Sequence, residues 1–314
     1  MEEALYSDLG FFNTDQVRSD KEGDFLTSPE VSKYFGKIIR NWINSESNLK
    51  NIIEIGSGTG SLIEQIGIKE ITAVELSSTA REELIKKGID TYTTIDELTT
   101  KTSDLIFGNE ILDNIPCSIG LYKDEGWYEK VVLLEENSLA YGLRPIRNEE
   151  LDWINKNNIV PNEDYEFEIQ VNIDKFLNSV IKKINPGKIL LFDYGYEQKN
   201  RDKRMYSSLL RTYKNHHLSV DPIDDPGNVD ITYDVNFSSI SSELKYLGYD
   251  VTLKLQRDFL LDNGFNIFFD ELQEKYIAAE GIEKLKINSE LNGMKAIVDS
   301  NGLGGFYCLI AEKL

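Results

Sequence analysis

The stretch Asn51-Ile52-Ile53-Glu54-Ile55-Gly56-Ser57-Gly58-Thr59-Gly60 decides the fold. A short apolar run ends in alternating glycines, and Ser61 then opens a segment with helical spacing. Glycines at such a turn remove Cβ atoms, so a ligand can lie directly against the backbone. Glu75 ends the next apolar run about 20 residues after Gly56, where a carboxylate can accept hydrogen bonds from both hydroxyls of a ribose. The layout therefore predicts a cofactor site at a strand-to-helix turn.

Two cofactor classes share this layout. The dinucleotide pattern G-x-G-x-x-G needs its third glycine where this chain has Ser61. A carboxylate two residues before the first glycine is also unfavourable beside a pyrophosphate, but it suits the amino group of a methionine moiety. The loop thus favours S-adenosyl-L-methionine over NAD, and the residues predicted to bind it are Glu54, Gly56, Ser57, Gly58, Gly60 and Glu75. A glycine turn without a ligand is the remaining alternative.

Short apolar runs and helical segments alternate along the chain on both sides of this loop. We predict strands at 51–55, 71–75, 104–108, 188–193, 249–255 and 306–311, and helices at 29–44, 61–66, 78–87 and 237–247. Strands that read as continuous apolar runs are typical of a sheet buried on both faces. The sequence therefore predicts an α/β fold with a Rossmann-like parallel sheet.

The composition limits the possible partners. The chain has 314 residues, with 34 Lys and Arg against 54 Asp and Glu, which gives a formal net charge of −20. Such a chain repels phosphate backbones, so we predict no nucleic-acid partner, whereas a cationic cofactor or a basic protein segment is attracted. Cys117 and Cys308 lie in apolar runs and predict buried thiols, not a disulfide framework or a metal site.

The same composition bears on location. No segment approaches the roughly 20 apolar residues of a membrane span. The first residues, Met-Glu-Glu-Ala-Leu-Tyr-Ser-Asp, lack the basic start and apolar stretch of a signal peptide. These features predict a cytoplasmic protein without a membrane span.

Polar side chains follow the predicted strand 104–108. Asn109, Glu110 and Asp113 come directly after it, and ligands of open α/β sheets bind at the carboxyl ends of the strands. Two nearby carboxylates suit a guanidinium, which forms paired planar hydrogen bonds with them. We therefore predict Glu110, Asp113 and Asn109 as catalytic residues. The alternative for Asp113 is that it caps a helix together with Asn114.

Several separated motifs resemble the MidA-like family of class I methyltransferases. They cover most of residues 5–260 and comprise Gly23–Glu30 with Phe35-Gly36, Glu54–Gly60, Asn109–Pro116 with Gly126-Trp127, Asp193–Tyr196, Leu210–Tyr213 with His216 and His217, and Asp221–Gly227 with Asp230–Thr232 and Val235–Phe237. The first and last groups are specific, because no generic methyltransferase needs them. Asn236 departs from the Asp that the family usually has, and the segment around Gly302–Gly305 follows the family's ending only loosely.

The resemblance implies a fold, a cofactor and a substrate. It implies a class I sheet with added elements over the active site, S-adenosyl-L-methionine as cofactor, and a protein substrate. Mitochondrial members of the family assist respiratory complex I assembly and methylate an arginine of one of its subunits. By resemblance, Asn109, Glu110 and Asp113 line the methyl-transfer pocket, and the residues that close over it from the N-terminus are Asp24, Thr27, Ser28, Pro29 and Glu30.

Further candidates lie in the second half of the chain. We predict that the substrate side of the site includes Asp193, Tyr194, Arg211, His217 and Asp230. The alternatives are purely structural roles: core packing for Tyr194, loop anchoring for Arg211 and a solvated loop for the acids of 221–234. Adjacent histidines seldom point the same way, so we predict no metal at His216 and His217.

Domain boundaries are predicted from changes in pattern. Strand-like runs at 131–134 and 139–143 predict an antiparallel hairpin or meander over the sheet, and 197–235 is a polar excursion with turn chemistry. We predict an N-terminal cap segment at 1–50 and a methyltransferase domain at 51–314 with insertions at about 117–170 and 197–235.

The leading functional hypothesis is an S-adenosyl-L-methionine-dependent methyltransferase that acts on an arginine of a protein. The alternatives are an assembly factor that binds a partner protein with little or no catalysis, a small-molecule methyltransferase, and an NAD-dependent reductase, which Ser61 and Glu54 disfavour.

Overall fold

The structure is a computed structural model that describes residues 1–13, 27–46, 49–98, 103–136, 138–203, 209–214, 217–218 and 221–313. Asp24, predicted for the cap, lies outside these ranges, and of His217 only the backbone is described.

The helices and strands follow one another in mixed order. The helices are α1 Glu2–Tyr6, α2 Ser28–Val31, α3 Tyr34–Ser45, α4 Ser61–Ile66, α5 Ser78–Lys86, α6 Asn148–Lys156, α7 Val171–Ile181, α8 Phe237–Tyr246, α9 Gln256–Asp262, α10 Phe265–Ala278 and α11 Gly281–Ile297. The strands are β1 Ile52–Ile55, β2 Ile71–Val74, β3 Thr91–Tyr92, β4 Ser103–Asn109, β5 Ser118–Lys123, β6 Gly126–Glu135, β7 Ser138–Pro145, β8 Glu166–Ile169, β9 Ile184–Asp193, β10 Gly195–Tyr196, β11 Leu210–Lys214, β12 His217–Leu218, β13 Asp230–Tyr233, β14 Val235–Asn236, β15 Asp250–Leu255 and β16 Tyr307–Lys313.

The central sheet has the strand order β15-β16-β9-β4-β1-β2-β3. Its pairs are parallel from β3 through β9, whereas β16 is antiparallel to both β9 and β15. The predicted α/β fold with a mainly parallel sheet is therefore confirmed. The chain moves outward from β1 to β3 and then returns to β4 on the other side of β1. This reversal creates a switch point, where the carboxyl ends of β1 and β4 form a crevice.

Both faces of the sheet are covered by helices. On one face, α3, α4 and α9–α11 pack around Phe35 and Phe192, whose ring centroids are 5.2 Å apart. On the other face, α7 and α8 pack Leu177 and Leu244 against the strands. Because both faces are buried, the strand sequences lack a polar side, which explains their continuous apolar runs.

The predicted helix at 29–44 is two helices, α2 and α3. Ser32 between them is extended, with φ −152° and ψ 119°, and its hydroxyl accepts a hydrogen bond from the Tyr34 amide at 3.4 Å. The break lies where α11 packs closely, since a Cβ at Gly293 would lie 2.6 Å from the Val31 carbonyl oxygen. Apolar residues keep their helical spacing on both sides of Ser32. The close packing of α11 and the hydrogen bond to the Ser32 hydroxyl nevertheless interrupt the helical backbone there.

A four-stranded antiparallel sheet, in the order β7-β6-β5-β8, lies in the region of the first predicted insertion. Its β6–β7 hairpin contains the two strand-like runs noted in the sequence. In the 197–235 excursion, β11 pairs antiparallel with β13, and every residue of β13 is buried. β13 has four residues, the shortest run over which alternation indicates a strand, and the sequence pattern did not single it out. The division into domains stays a prediction.

No helix within the described ranges is long and apolar enough to cross a membrane.

Candidate functional site

The glycine loop between β1 and α4 is a left-handed turn that only glycine adopts easily. Gly56, Gly58 and Gly60 have φ values of 68°, 52° and 85°. A Cβ at Gly56 would lie 2.3 Å from Cγ2 of Ile111, in the turn after β4. The loop and the turn after β4 therefore pack backbone against side chain, with no room for a larger residue.

Glu75, directly after β2, holds the glycine loop in place. Its carboxylate accepts hydrogen bonds from the Gly58 amide at 2.8 Å and the Ser77 amide at 2.7 Å. Burial raises the pKa of Glu75, and these two amides oppose the rise. A carboxylate has about four lone-pair sites, so Glu75 keeps acceptor capacity for a ligand.

Glu54, in β1, is a buried carboxyl group with one unsatisfied oxygen. It is 2% exposed, and its Oε2 has no hydrogen-bond partner among the residues that the structure describes. Burial raises its pKa well above the ordinary value, with a smaller rise from Glu75. An unsatisfied buried carboxyl costs free energy that a positively charged or hydrogen-bonding ligand would recover.

A cavity of about 240 Å³ opens between the loop and the turn after β4. Its acidic lining residues are Glu30, Glu54, Glu75 and Glu110, and within the described part of the chain no Lys, Arg or His lines it. Ser57 and Gly58 also line it, whereas Gly60 does not and instead caps α4. The charge of this lining favours a cationic ligand over a pyrophosphate.

Asn109 and Glu110 line the cavity at the end of β4. Glu110 has φ 53°, and its amide donates to the Phe192 carbonyl at 2.8 Å. Its Oε1 accepts hydrogen bonds from Asn109 Nδ2 at 2.8 Å and from the Ser28 amide at 3.1 Å. Burial raises the pKa of Glu110 to about 7. The Oδ1 of Asn109 has no partner within the described residues, so acceptor groups remain available here.

Asp113 lies behind this wall, not in it. It is buried, and the Tyr194 hydroxyl donates a hydrogen bond to its Oδ2. Arg211 stacks over the Tyr194 ring at 4.9 Å and pairs with Asp234 at 2.9 Å. Burial raises the pKa of Asp113 to about 6, against the lowering effects of Tyr194 and Arg211. The structure thus gives Asp113, Tyr194 and Arg211 a supporting position, which differs from the predicted contact with a substrate.

Asp193 and Asp230 also support the wall without lining the cavity. Asp193 accepts hydrogen bonds from the backbone amides of Leu112 and Tyr194, both at 2.8 Å. Asp230 accepts one from Asn114 Nδ2 at 2.8 Å, and Asn114 does line the cavity. The prediction placed both acids at the substrate, but they are buried because the turn after β4 folds over them.

The N-terminal segment closes one side of the cavity. Thr27, Pro29 and Glu30 line it, as predicted for a cap, whereas Ser28 is fully buried. Besides its amide contact with Glu110, Ser28 receives a hydrogen bond on its hydroxyl from Gln256 Nε2 at 3.1 Å. The cap is thereby fastened to α9.

Sequence reasoning missed the aromatic part of the lining. Tyr6 and Phe12 stack with ring centroids 5.5 Å apart, and the Tyr6 hydroxyl donates to the Asn114 carbonyl at 3.1 Å. Phe176 of α7 also faces the cavity. Tyr6 and Asn114 are 108 residues apart, so no local pattern connects them.

Comparison with known proteins bears on the nature of this site. A family model described as "Putative S-adenosyl-L-methionine-dependent methyltransferase" matches residues 35–252, which is more than half of the chain. The chain belongs to this methyltransferase family. The match confirms both the resemblance to MidA-like methyltransferases and the predicted cofactor, S-adenosyl-L-methionine.

Curated relatives agree with this assignment of the methyltransferase. This chain is 25% identical over 303 residues to the protein arginine methyltransferase NDUFAF7 homolog, mitochondrial, of Caenorhabditis elegans. The match covers 81% of this chain and 68% of that protein. The chain is also 25% identical over 322 residues to the protein arginine methyltransferase NDUFAF7, mitochondrial, of Danio rerio, covering 85% and 72%. These relatives are named as mitochondrial proteins, so the cytoplasmic location predicted from composition is wrong by this comparison.

Solved structures share the fold of the methyltransferase. A protein from Burkholderia thailandensis, crystallised bound to S-adenosyl-homocysteine, has a TM-score of 0.85 at 22% identity, covering 99% of this chain and 86% of that one. A native crystal structure of a protein from the same organism has a TM-score of 0.82. The class I methyltransferase fold predicted from the sequence is confirmed.

Proposed function

We propose that this methyltransferase methylates a guanidinium nitrogen of an arginine in a protein. The observation that carries the proposal is the place of Asn109 and Glu110 in the wall of a cavity whose described lining has no basic residue, with Asn109 Oδ1 left without a hydrogen-bond partner among the described residues. A guanidinium has only donors, and it pairs with carboxylates in a planar, bidentate way. The names of the curated relatives, protein arginine methyltransferases, support the same substrate class.

The residues of the cavity fit S-adenosyl-L-methionine. The unsatisfied Oε2 of Glu54 suits its ammonium group, and the glycine turn leaves space where Cβ atoms would stand. Glu75 and the backbone of Gly58 complete the set that would hold it. When bound, the cofactor supplies an electrophilic methyl group on a sulfonium.

Glu110 is the residue to which we assign the central role. Its pKa of about 7 falls when a guanidinium approaches, since a positive charge favours the carboxylate. The carboxylate then orients the guanidinium, and Asn109 Oδ1 accepts a second N–H. Glu110 would also take the proton that the nitrogen releases as its new N–C bond forms and the bond from that methyl carbon to the sulfonium sulfur breaks, which leaves S-adenosyl-homocysteine. Positioning of this kind, in a site that excludes bulk water, accounts for large rate effects in other enzymes.

The supporting network keeps Glu110 in place. Asp113, within the turn after β4, and Asp193, behind that turn, do not line the cavity, so we assign them positioning roles. The cap contributes the Ser28 amide, which fixes one carboxylate oxygen of Glu110 and leaves Oε2 for the substrate.

A methyl-transfer assay with radiolabelled S-adenosyl-L-methionine tests the proposal. The acceptors are basic arginine-containing peptides, folded basic proteins and free arginine. We expect label on protein or peptide arginine with the wild type. Glu110→Gln should lower the rate by about 10²–10⁴-fold, the usual contribution of a general acid–base group, while calorimetry shows little change in cofactor binding.

Glu83→Gln, on the exposed surface of α5, is the matched control and should behave as wild type. Label on small molecules alone would contradict a protein substrate. Cofactor binding without any transfer would favour a role in binding a partner.

A further inference from the structure

Arg81 of α5 holds the loop that carries Glu75, although Arg81 itself does not line the cavity. Its Nη1 donates hydrogen bonds to the carbonyl oxygen of Glu75 at 2.9 Å and to that of Leu76 at 2.5 Å. One guanidinium nitrogen therefore meets two consecutive peptide groups directly after β2. Glu75 and Leu76 both line the cavity, so the guanidinium supports its wall from the side away from the ligand.

The same two peptide groups face the Glu75 carboxylate on their other side. In a trans peptide the C=O and N–H bonds point in opposite directions. The peptide between Leu76 and Ser77 accepts a hydrogen bond from Arg81 on its oxygen and donates one through its N–H to Glu75 Oε1 at 2.7 Å. Burial raises the pKa of Glu75, and a hydrogen bond from the Leu76 amide, in the preceding peptide, opposes that rise. A cation and a carboxylate thus lie at opposite ends of two peptide dipoles.

This arrangement favours the charged form of Glu75. Each peptide group carries a dipole of about 3.5 D, whose positive end here faces the carboxylate and whose negative end faces Arg81. The charge of Arg81 has its own effect: burial raises the pKa of Glu75, whereas the nearby positive charge lowers it. An ionised carboxylate has only acceptors, which suits the amides of Gly58 and Ser77 and the hydroxyls of a ribose.

The helix alone does not explain an arginine at position 81. α5 begins at Ser78 with Ser77 as its N-cap, and the Arg81 amide closes the first turn by donating to the Ser77 carbonyl at 3.0 Å. The helix dipole disfavours a positive charge near this end. The first turn of α5 contains no acid that would offset the charge. The contacts with the loop after β2 therefore account for Arg81 better than any contribution to the helix.

We propose that Arg81 is a positioning residue for the cofactor, which fixes the Glu75 carboxylate through the two peptide groups that lie between them. Arg81 does not touch S-adenosyl-L-methionine and acts on it only through Glu75. The proposal rests on the assignment of Glu75 to the cofactor under the proposed function, but not on the identity of the methyl acceptor. Cofactor binding by the full chain is therefore sufficient to test it.

Calorimetric titration with S-adenosyl-L-methionine measures the effect of Arg81. Arg81→Met should raise Kd at least about tenfold, because it removes the charge and both hydrogen bonds. Arg81→Lys keeps a positive charge and a donor, so it should recover part of the affinity. Lys86→Met is the matched control, since Lys86 lies on the same helix and pairs with Glu83 at the surface, and it should leave Kd unchanged. A wild type that does not bind the cofactor, or an Arg81→Met variant that binds it equally well, would overturn the proposal.

A double-mutant cycle with Glu75→Gln separates positioning from general support of the fold. Once the carboxylate is gone, Arg81→Met should change Kd by about threefold or less. Equal fold-changes in the two backgrounds would show that Arg81 does not act through Glu75. A Kd that Glu75→Gln leaves unchanged would overturn the proposal together with the assignment of Glu75, whereas a Kd that rises in Glu75→Gln but not in Arg81→Met would overturn the role of Arg81 alone.

The pH dependence of cofactor binding gives an independent measurement. Loss of the positive charge raises the pKa of Glu75, so on acidification the affinity of Arg81→Met should begin to fall at a higher pH than that of the wild type. Other titratable groups line the same cavity, namely Glu54 of β1, Tyr6 of α1, Glu30 of α2 and Glu110 after β4. The shift should therefore be absent when Arg81→Met is made in the Glu75→Gln background. Coincident profiles of Arg81→Met and wild type, or a shift that persists without the carboxylate, would contradict the proposal.

Discussion

The carboxylate of Asp193 accepts a hydrogen bond from the backbone amide of Leu112, with 2.8 Å between Oδ2 and N. Asp193 ends β9, and Leu112 lies two residues beyond Glu110 in the turn after β4. The contact joins the ends of two neighbouring strands directly beside the cavity. Glu110 adopts a left-handed φ of 53°, which carries a strain cost, so its position depends on such fastening.

Asp193→Asn should destabilise the protein and slow methyl transfer. The amide group of Asn turns one acceptor into a donor that faces backbone donors, leaving a buried N–H unsatisfied at a cost of about 1–3 kcal/mol. Chemical denaturation measures the loss of unfolding free energy, and steady-state kinetics measure the fall in kcat.

Asp104→Asn is the control for this effect. Asp104 Oδ2 likewise accepts two backbone amides, those of Lys50 and Asn51, at the opposite end of β4 and in an exposed setting. This variant should cost less stability and leave kcat unchanged. Equal effects of the two variants on kcat would argue against a positioning role for Asp193.

Glu110 should make the stability of the ligand-free protein depend on pH. Its pKa is about 7 in the folded state against 4.5 for an ordinary Glu, so between these values the folded state binds more protons than the unfolded chain. Its contribution to the unfolding free energy must therefore fall as the pH rises from about 4.5 to about 7, and level off above. Glu110→Gln removes this contribution, so the variant should gain stability relative to wild type between pH 5 and pH 8 in chemical denaturation. Parallel pH profiles of the two proteins would refute the assignment.

Gly56→Ala should abolish cofactor binding and lower stability by more than backbone strain alone. The added Cβ would lie 2.3 Å from Ile111 Cγ2, in addition to the cost of φ 68°. Gly88→Ala is the matched control, since Gly88 has φ 75° with nothing within 4 Å, and it should cost only roughly 1–2 kcal/mol.

Adding Ile111→Ala to Gly56→Ala should recover part of the loss, because it removes the clashing methyl group. A double-mutant cycle measures this coupling. Strict additivity would show that the close approach is not what excludes a side chain at Gly56.

Glu75→Gln should weaken the affinity for S-adenosyl-L-methionine. The carboxylate holds the amides of Gly58 and Ser77 and so shapes the loop as well as offering an acceptor to the ligand. We expect at least a tenfold rise in Kd by calorimetry, equivalent to about 1.4 kcal/mol. An unchanged Kd would remove Glu75 from the cofactor site.

The parts of the fold and site that were predictable from sequence rest on local patterns. The glycine loop, the carboxylate after β2 and the residues after β4 each follow a recognisable strand, and strand ends of a parallel sheet meet at one edge. The roles assigned to the individual site residues remain predictions.

What was not predictable depends on distant contacts and on backbone direction. Glu110 and Asp113 are both acids that follow the same strand. The left-handed turn at Glu110 directs Glu110 to the cavity and leaves Asp113 in the supporting network, and the sequence does not show this turn. Tyr6 reaches the cavity from α1 through a contact with Asn114, which no periodicity encodes. Helices α9–α11, absent from the sequence-based assignment, complete one face of the core.

The antiparallel strand β16 has a consequence for how the molecule is made. It lies between β9 and β15, although roughly 50 residues separate it from β15 in the chain. At about 5–20 residues per second of ribosomal synthesis, β15 waits roughly 3–10 s for β16, the strand with which it pairs among the described residues. During that interval the long apolar edge of β9 is uncovered on the nascent chain. We expect the nascent chain to depend most on chaperones during this interval.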